Sequence, residues 1–169
     1  MRLEEEAGKL LREQELTLSI AESCTGGLIT HRLTNIPGSS EYVERSVVVY
    51  SNRSKTELLR IPQRMIGLYG AVSEEVAKAM ALEVRTLSGT SLGLSVTGIA
   101  GPAGGSPDKP VGTVFMALAS ADKILCINHR FTGSREEIKF MSSEKALEML
   151  CRYLKKDKGV EGSRGRGVK

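Results

Sequence analysis

The 169-residue chain is 40% hydrophobic and 26% charged, with no Trp and 4% aromatics, which fits one globular domain with a core of Leu, Ile, Val, Ala and Met. No apolar run approaches the ~20 residues of a membrane span, and the N-terminal MRLEEEAGKLL is acidic where a secretory signal would be basic. The formal net charge of +4 lies wholly in residues 155–169, KKDKGVEGSRGRGVK, so the body is neutral and carries no basic footprint for nucleic acid.

The expected organisation is therefore a domain over 1–155 followed by a basic, Gly-rich, disordered tail over 156–169. Cys24, Cys126 and Cys151 are odd in number and unrelated in spacing, which predicts free thiols in a reducing cytoplasm and neither a disulfide framework nor a metal site.

Along the chain, Leu3, Ala7, Leu10 and Leu11 recur at helical spacing and predict a helix over 3–14. LTLSIAES turns from alternating to apolar and predicts a buried strand near 16–21. The glycine pair and LITHRLTNI make a helix near 26–35, stopped by PGSS. RSVVVYS is a β-branched run and predicts a strand over 45–50, followed by a short helix, NRSKTELLRI, that Pro62 ends. VSEEVAKAMALEVRTLSG predicts a long helix with Ser73 as its N-cap, Glu74 and Glu75 at the positive end of its dipole, and Gly89 closing it. A strand over 92–97 leads into a loop over 98–112, then strands over 113–119 and 123–131 in a hairpin, and a last helix that Ser134 caps. Strands alternating with helices and ending in a hairpin predict an α/β fold, a mixed sheet covered by helices on both faces.

In such sheets, ligands collect beyond the carboxyl ends of the strands. Four polar segments sit there: ESCTGG, YSNRSK, TGIAGPAGG and FTGSRE. In the first, Ser23 is a candidate nucleophile that needs a base. His31 lies about 12 Å up the following helix, and His129 sits in the hairpin with no acid to orient it, which disfavours a serine–histidine–aspartate triad. Lys55 is the remaining candidate: an exposed helix lysine, or a base if burial strips its charge. Tyr50 could orient it or relay a proton. Cys24 is a rival nucleophile or a small buried residue. Thr25 reads as a cap or an anion-binding hydroxyl, and the backbone N–H groups through Gly26 and Gly27 as an oxyanion or phosphate cradle. The 98–112 loop holds five glycines, Gly101, Gly104 and Gly105 among them, and three prolines. It ends in no Gly-Lys-Ser/Thr and leads into a strand, so it is neither a phosphate-binding P-loop nor a dinucleotide fingerprint. Thr132, Gly133 and Ser134 open the last helix, where Arg135 is either an anion-binding fork or a surface residue.

AESCTGG, PGSSEYVERSVVVYSNRSK, GAVSEEVA and TGIAGPAGGSPDKPVGTV, in that order, resemble the CinA C-terminal domain family, whose members include competence/damage-inducible proteins and stand-alone nicotinamide-nucleotide amidases. The resemblance spans nearly everything except the tail. It implies a three-layer α/β/α domain that hydrolyses nicotinamide mononucleotide to nicotinic acid mononucleotide and ammonia without cofactor or metal, and that forms a homo-oligomer. It further implies Ser23 as nucleophile and Lys55 as its base, with Tyr50 the tyrosine of the same motif. The substrate's phosphate and ribose are then expected at Thr25, the Gly101–Gly105 loop and Arg135. The chain departs from the family pattern at Ser46, where glycine is common, at Tyr69, where histidine is common, and at Ala103, where an acid or glycine is common. An amidase for another carboxamide and a non-catalytic binding protein are the competing expectations.

Overall fold

The computed structural model describes the backbone of residues 1–164 and the side chains of residues 1–156. In chain order the elements are α1 (Leu3–Glu13), β1 (Leu18–Glu22), α2 (Leu28–Thr34), β2 (Val43–Val48), α3 (Asn52–Leu59), α4 (Gln63–Tyr69), α5 (Glu74–Ser88), β3 (Leu92–Gly98), β4 (Thr113–Ala119), β5 (Ile124–Arg130) and α6 (Arg135–Arg164). A single 3-10 turn, Ser39–Glu41, precedes β2. The five strands form one sheet in the order β2-β1-β3-β4-β5. β1 is parallel to β2 and β3, whereas β4 is antiparallel to both its neighbours, so the sheet is mixed.

The strands' alternation decides what each layer can be. Leu18 and Ile20 of β1, Leu92, Leu94 and Val96 of β3, and Val114, Met116 and Leu118 of β4 all face the layer of α1, α2 and α6, which buries Leu11, Leu33, Leu147 and Leu150 against them. Each such side chain contributes about 1.5–3 kcal/mol by leaving water. The opposite face is small and polar: Ser19 donates to the Val84 carbonyl at 3.0 Å, Ser95 to the Ala77 carbonyl at 2.6 Å, and Gly93 lies under the Ala81 carbonyl. These short residues let α5 approach closely, with Ala77 and Ala81 against Ala117 and Ala119. The third layer is thus α3, α4 and α5, as the α/β/α expectation has it.

The caps explain the helix starts. Ser73 accepts from the Val76 N–H at 3.2 Å and Gly89 closes α5 in the left-handed conformation. Ser134 and Glu137 form a reciprocal box at the head of α6, with Ser134 N–H donating to Glu137 at 2.6 Å and Glu137 N–H to Ser134 Oγ at 3.2 Å.

Two features differ from the sequence reading. α4 lies where only a break after Pro62 was expected; Pro62 ends α3's chain direction and then serves as the N-cap of the next helix. α6 runs unbroken to Arg164, so helix occupies the first part of the segment 156–169 read as a disordered tail, because each residue added to a docked helix gains a hydrogen bond at little entropic cost. Residues 165–169 of that segment lie outside the described residues. Among the described residues, no helix is long and apolar enough to cross a membrane.

Candidate active site

The strand directions bring the four polar loops to one edge. Glu22 at the end of β1 pairs with Val48 of β2 and with Val96 of β3, so β1 and β2 finish level and β3 runs on to Gly98 at the same edge. β5 is antiparallel to β4 and therefore runs with β3, delivering Phe131–Arg135 to the same edge. The 98–112 loop is strapped across it: Arg135 Nη1 donates to the Gly101 carbonyl at 2.6 Å and Lys109 Nζ to the Tyr69 carbonyl at 2.7 Å.

At the centre are Ser23 and Lys55. Ser23 is fixed as β1 ends, its N–H donating to the Val96 carbonyl at 3.1 Å. β2 stops one residue before Val49, whose N–H donates to the Glu22 carbonyl at 2.8 Å, and the chain then turns into α3 under a Ser51 cap. That turn folds Lys55 back beneath the strand end. Its Nζ donates to the Val49 carbonyl at 2.8 Å and stands 3.0 Å from Ser23 Oγ. Lys55 is 1% exposed, and no carboxylate touches its amine among the described residues. Burial without a counter-charge pushes its pKa below the ordinary 10.5. Of the two alternatives the sequence left open, the exposed helix lysine is excluded.

Glu22 is the residue that sequence reasoning missed. Its fully buried carboxylate accepts from the N–H groups of Gly27 (3.1 Å), Ile29 (3.1 Å) and Thr30 (2.8 Å) and from the hydroxyls of Thr25 (2.5 Å) and Thr30 (2.7 Å). It is a resident anion at the start of α2, a role for which Gly27, left-handed at φ 102°, has no side chain. The signal available was an acid at a strand end followed by hydroxyls and a glycine pair.

This changes several expectations. Thr25 is buried and its hydroxyl is spent on Glu22, so it does not stand ready for a substrate phosphate. Gly26 N–H donates to the Ser23 carbonyl at 3.0 Å and Gly27 N–H to Glu22, so the cradle across Cys24–Gly27 narrows to the N–H groups of Cys24 and Thr25, which donate to no other residue among those described. The Cys24 thiol is buried and its pKa is pushed up to about 12 by that burial, which makes it a poor nucleophile. Gly101 and Gly105 pack their backbone against Val111, so the loop's own packing demands them; Gly104 is left-handed at φ 94°. Tyr50 is 58% exposed, and its hydroxyl accepts from Arg135 Nη2 at 2.6 Å instead of meeting Lys55, whose amine the Val49 carbonyl orients.

His31 lies against Asn35 and His129 stacks on Phe131, both away from Ser23. Ser46 bonds Thr30 at 2.6 Å, tying β2 to α2, while Tyr69 and Ala103 are exposed on the rim. Lys139, one turn after Arg135 on α6 and also unforeseen, brings its Nζ to 3.8 Å from where a Cβ on Gly26 would lie. Among the described residues, no three His, Cys, Asp or Glu side chains are grouped to hold a metal ion.

A buried serine–lysine pair at a strand–helix turn can remove a hydroxyl proton and direct the oxygen at an electrophile. The likeness to known proteins covers all the elements that build it. A CinA-like protein of Syntrophus aciditrophicus is 55% identical over 153 residues, 90% of this chain. One of Geotalea uraniireducens is 54% identical over 145 residues, 86% of this chain. The chain spans about a third of the length of these relatives (36% and 34%). Among solved structures, the competence/damage inducible protein CihA from Agrobacterium tumefaciens superposes with a TM-score of 0.85 at 39% identity, covering 90% of this chain and 95% of that one. The competence damage-inducible protein A (ComA) from Klebsiella pneumoniae gives 0.87 at 28% identity, covering 90% and 94%. With a family model matched over residues 1–154, the chain belongs to the CinA C-terminal domain family.

Proposed function

We propose that this chain is an amidohydrolase that converts nicotinamide mononucleotide to nicotinic acid mononucleotide and ammonia through an acyl-enzyme on Ser23. The observation that carries the reading is the buried Lys55 amine 3.0 Å from Ser23 Oγ. A lysine so placed, with a carbonyl to receive one of its hydrogens, exposes its lone pair to the serine hydroxyl once neutral. Lys55 then takes the Ser23 proton as Oγ bonds to the carboxamide carbon, and the carbonyl π pair moves to oxygen. Cys24 and Thr25 N–H groups are the donors left to meet that oxyanion. Collapse of the adduct breaks the C–N bond, and the nitrogen leaves as ammonia with the proton from Lys55. Water repeats the sequence: Lys55 accepts its proton, the hydroxide oxygen adds to the acyl carbon, and Ser23 departs reprotonated. Ammonia release from nicotinamide mononucleotide by wild type, Ser23→Ala and Lys55→Ala tests this. Release by wild type alone supports it; no release by wild type, or equal release by Ser23→Ala, overturns it.

A further inference from the structure

We infer that the outer edge of β5, with the groove beside it, docks an acidic β-strand of a partner protein. The inference does not rest on the amidase reading. The sheet has two edges, and they are built differently. Along β2 the pairing with β1 slips between Leu18 and Ser19, Glu44 and Arg45 are exposed, and Arg45 Nη1 donates to the Leu87 carbonyl at 3.2 Å. Irregularity and charge of this kind keep an edge from pairing with another chain. β5 has neither: its seven residues pair with β4 without a register shift, and it holds no Lys, Pro, Asp or Glu. Among the described residues no strand lies on its outer side.

A cavity of about 550 Å³ lies between this edge and α6, the size of a ligand-holding cleft. Its floor is apolar: Leu125, 38% exposed, and Ile127 from β5, with Met149 and Tyr153 from α6. On an added strand alternate side chains point to one face, so every second residue of the partner reaches this floor while its backbone bonds the β5 edge. The rim fixes the partner's charge. Lys123, Lys145, Arg152 and Lys156 line it against one carboxylate, that of Glu148, which already accepts from Lys145 at 2.7 Å and Arg152 at 3.0 Å. The fold thus gathers cations here although residues 1–154 are neutral in sum. A second copy paired edge to edge through β5 sets two such rims against each other. An apolar floor gives nothing to a sugar–phosphate backbone. Lys145 lies about 15 Å beyond Arg135 along α6, so a strand docked here leaves the Ser23 edge open.

The test is fluorescence anisotropy with a labelled peptide of alternating Val and Glu, beside its Val–Lys counterpart and a fully N-methylated version that has no backbone donors. The proteins are wild type, Arg152→Glu, Leu125→Lys and, as a charge control, Arg64→Glu, an exposed position of α4. The docking edge predicts that wild type binds the Val–Glu peptide, that Arg152→Glu and Leu125→Lys each weaken binding about 10-fold, and that Arg64→Glu matches wild type. The Val–Lys and N-methylated peptides should bind wild type at least ~10-fold more weakly, a comparison that stands whether or not a variant folds. No binding of the Val–Glu peptide, equal binding of the N-methylated one, or equal weakening by Arg64→Glu overturns the inference. So does tighter binding of a single-stranded DNA oligonucleotide through Arg152, or a wild-type dimer that Leu125→Lys dissolves.

Discussion

Replacing Lys55 separates chemistry from packing. Lys55→Ala deletes three buried methylenes, about 2.4 kcal/mol at about 0.8 kcal/mol each, and leaves a cavity that brings the total to about 2–4 kcal/mol. Lys55→Met keeps most of the volume. It leaves the Val49 carbonyl without its donor, a loss of about 1 kcal/mol, but it also removes an amine whose burial opposes its charge, so its stability at pH 7 should lie within about 1 kcal/mol of wild type. Both variants should lose about 10²–10⁴-fold in kcat/KM, the span of a general base, and Lys55→Arg should not rescue, since a guanidinium stays protonated.

The pH dependence carries a definite sign. Because the folded-state pKa of Lys55 lies below the 10.5 of the unfolded chain, the unfolded chain binds more protons between the two values. Wild-type stability should therefore rise with pH across that window relative to Lys55→Met, and kcat/KM should rise over the same limb as the amine loses its proton. Urea unfolding at a series of pH values beside ammonia release measures both. A Lys55→Met protein retaining activity within about tenfold of wild type, or showing the same stability slope with pH, refutes the reasoning.

Glu22→Gln turns one acceptor oxygen into a donor that faces N–H groups, and should destabilise the fold by about 2–4 kcal/mol, read as a lower urea midpoint with reduced activity as the Ser23 turn loosens. Tyr50→Phe removes only the hydroxyl that steadies Arg135, so KM should rise about 2- to 10-fold with kcat nearly unchanged; a loss of 100-fold in kcat would restore Tyr50 as a proton relay. Iodoacetamide at pH 8 should leave Cys24 unmodified and activity intact in the folded protein, because the thiol is buried with its pKa near 12; mass spectrometry of the labelled peptides checks this. Gly93→Ala would drive its methyl into the Ala81 carbonyl where α5 crosses the sheet, costing about 1–3 kcal/mol in thermal unfolding.

Element types were readable wherever the pattern was strong: the β-branched run before Tyr50, the Ser73-to-Gly89 helix and the hairpin strands each stand close to their expected bounds. The convergence of the four loops was conditional on strand direction, which no local pattern encodes, and the parallel pairing of β1 with β2 and β3 supplies it. α4 escaped because Pro62 reads both as a helix stop and as the start of the next helix. Glu22 escaped because an acid at a strand end carries no local sign of its partners, and the N–H groups its oxygens face come into place only when the turn and α2 fold back over it.

The sequence by itself determined the alternation of strands and helices and brought Ser23, Cys24 and Lys55 forward as candidates, because hydrophobic periodicity, capping residues and irregular glycine-rich motifs are local properties that survive without coordinates. Whether Lys55 is a solvated surface cation or an amine stripped of water beside Ser23 was a tertiary decision. Side-chain protonation depends on what surrounds an atom in space, and Val49, Ser23 and the packed strand end that surround Lys55 meet only when the sheet is assembled.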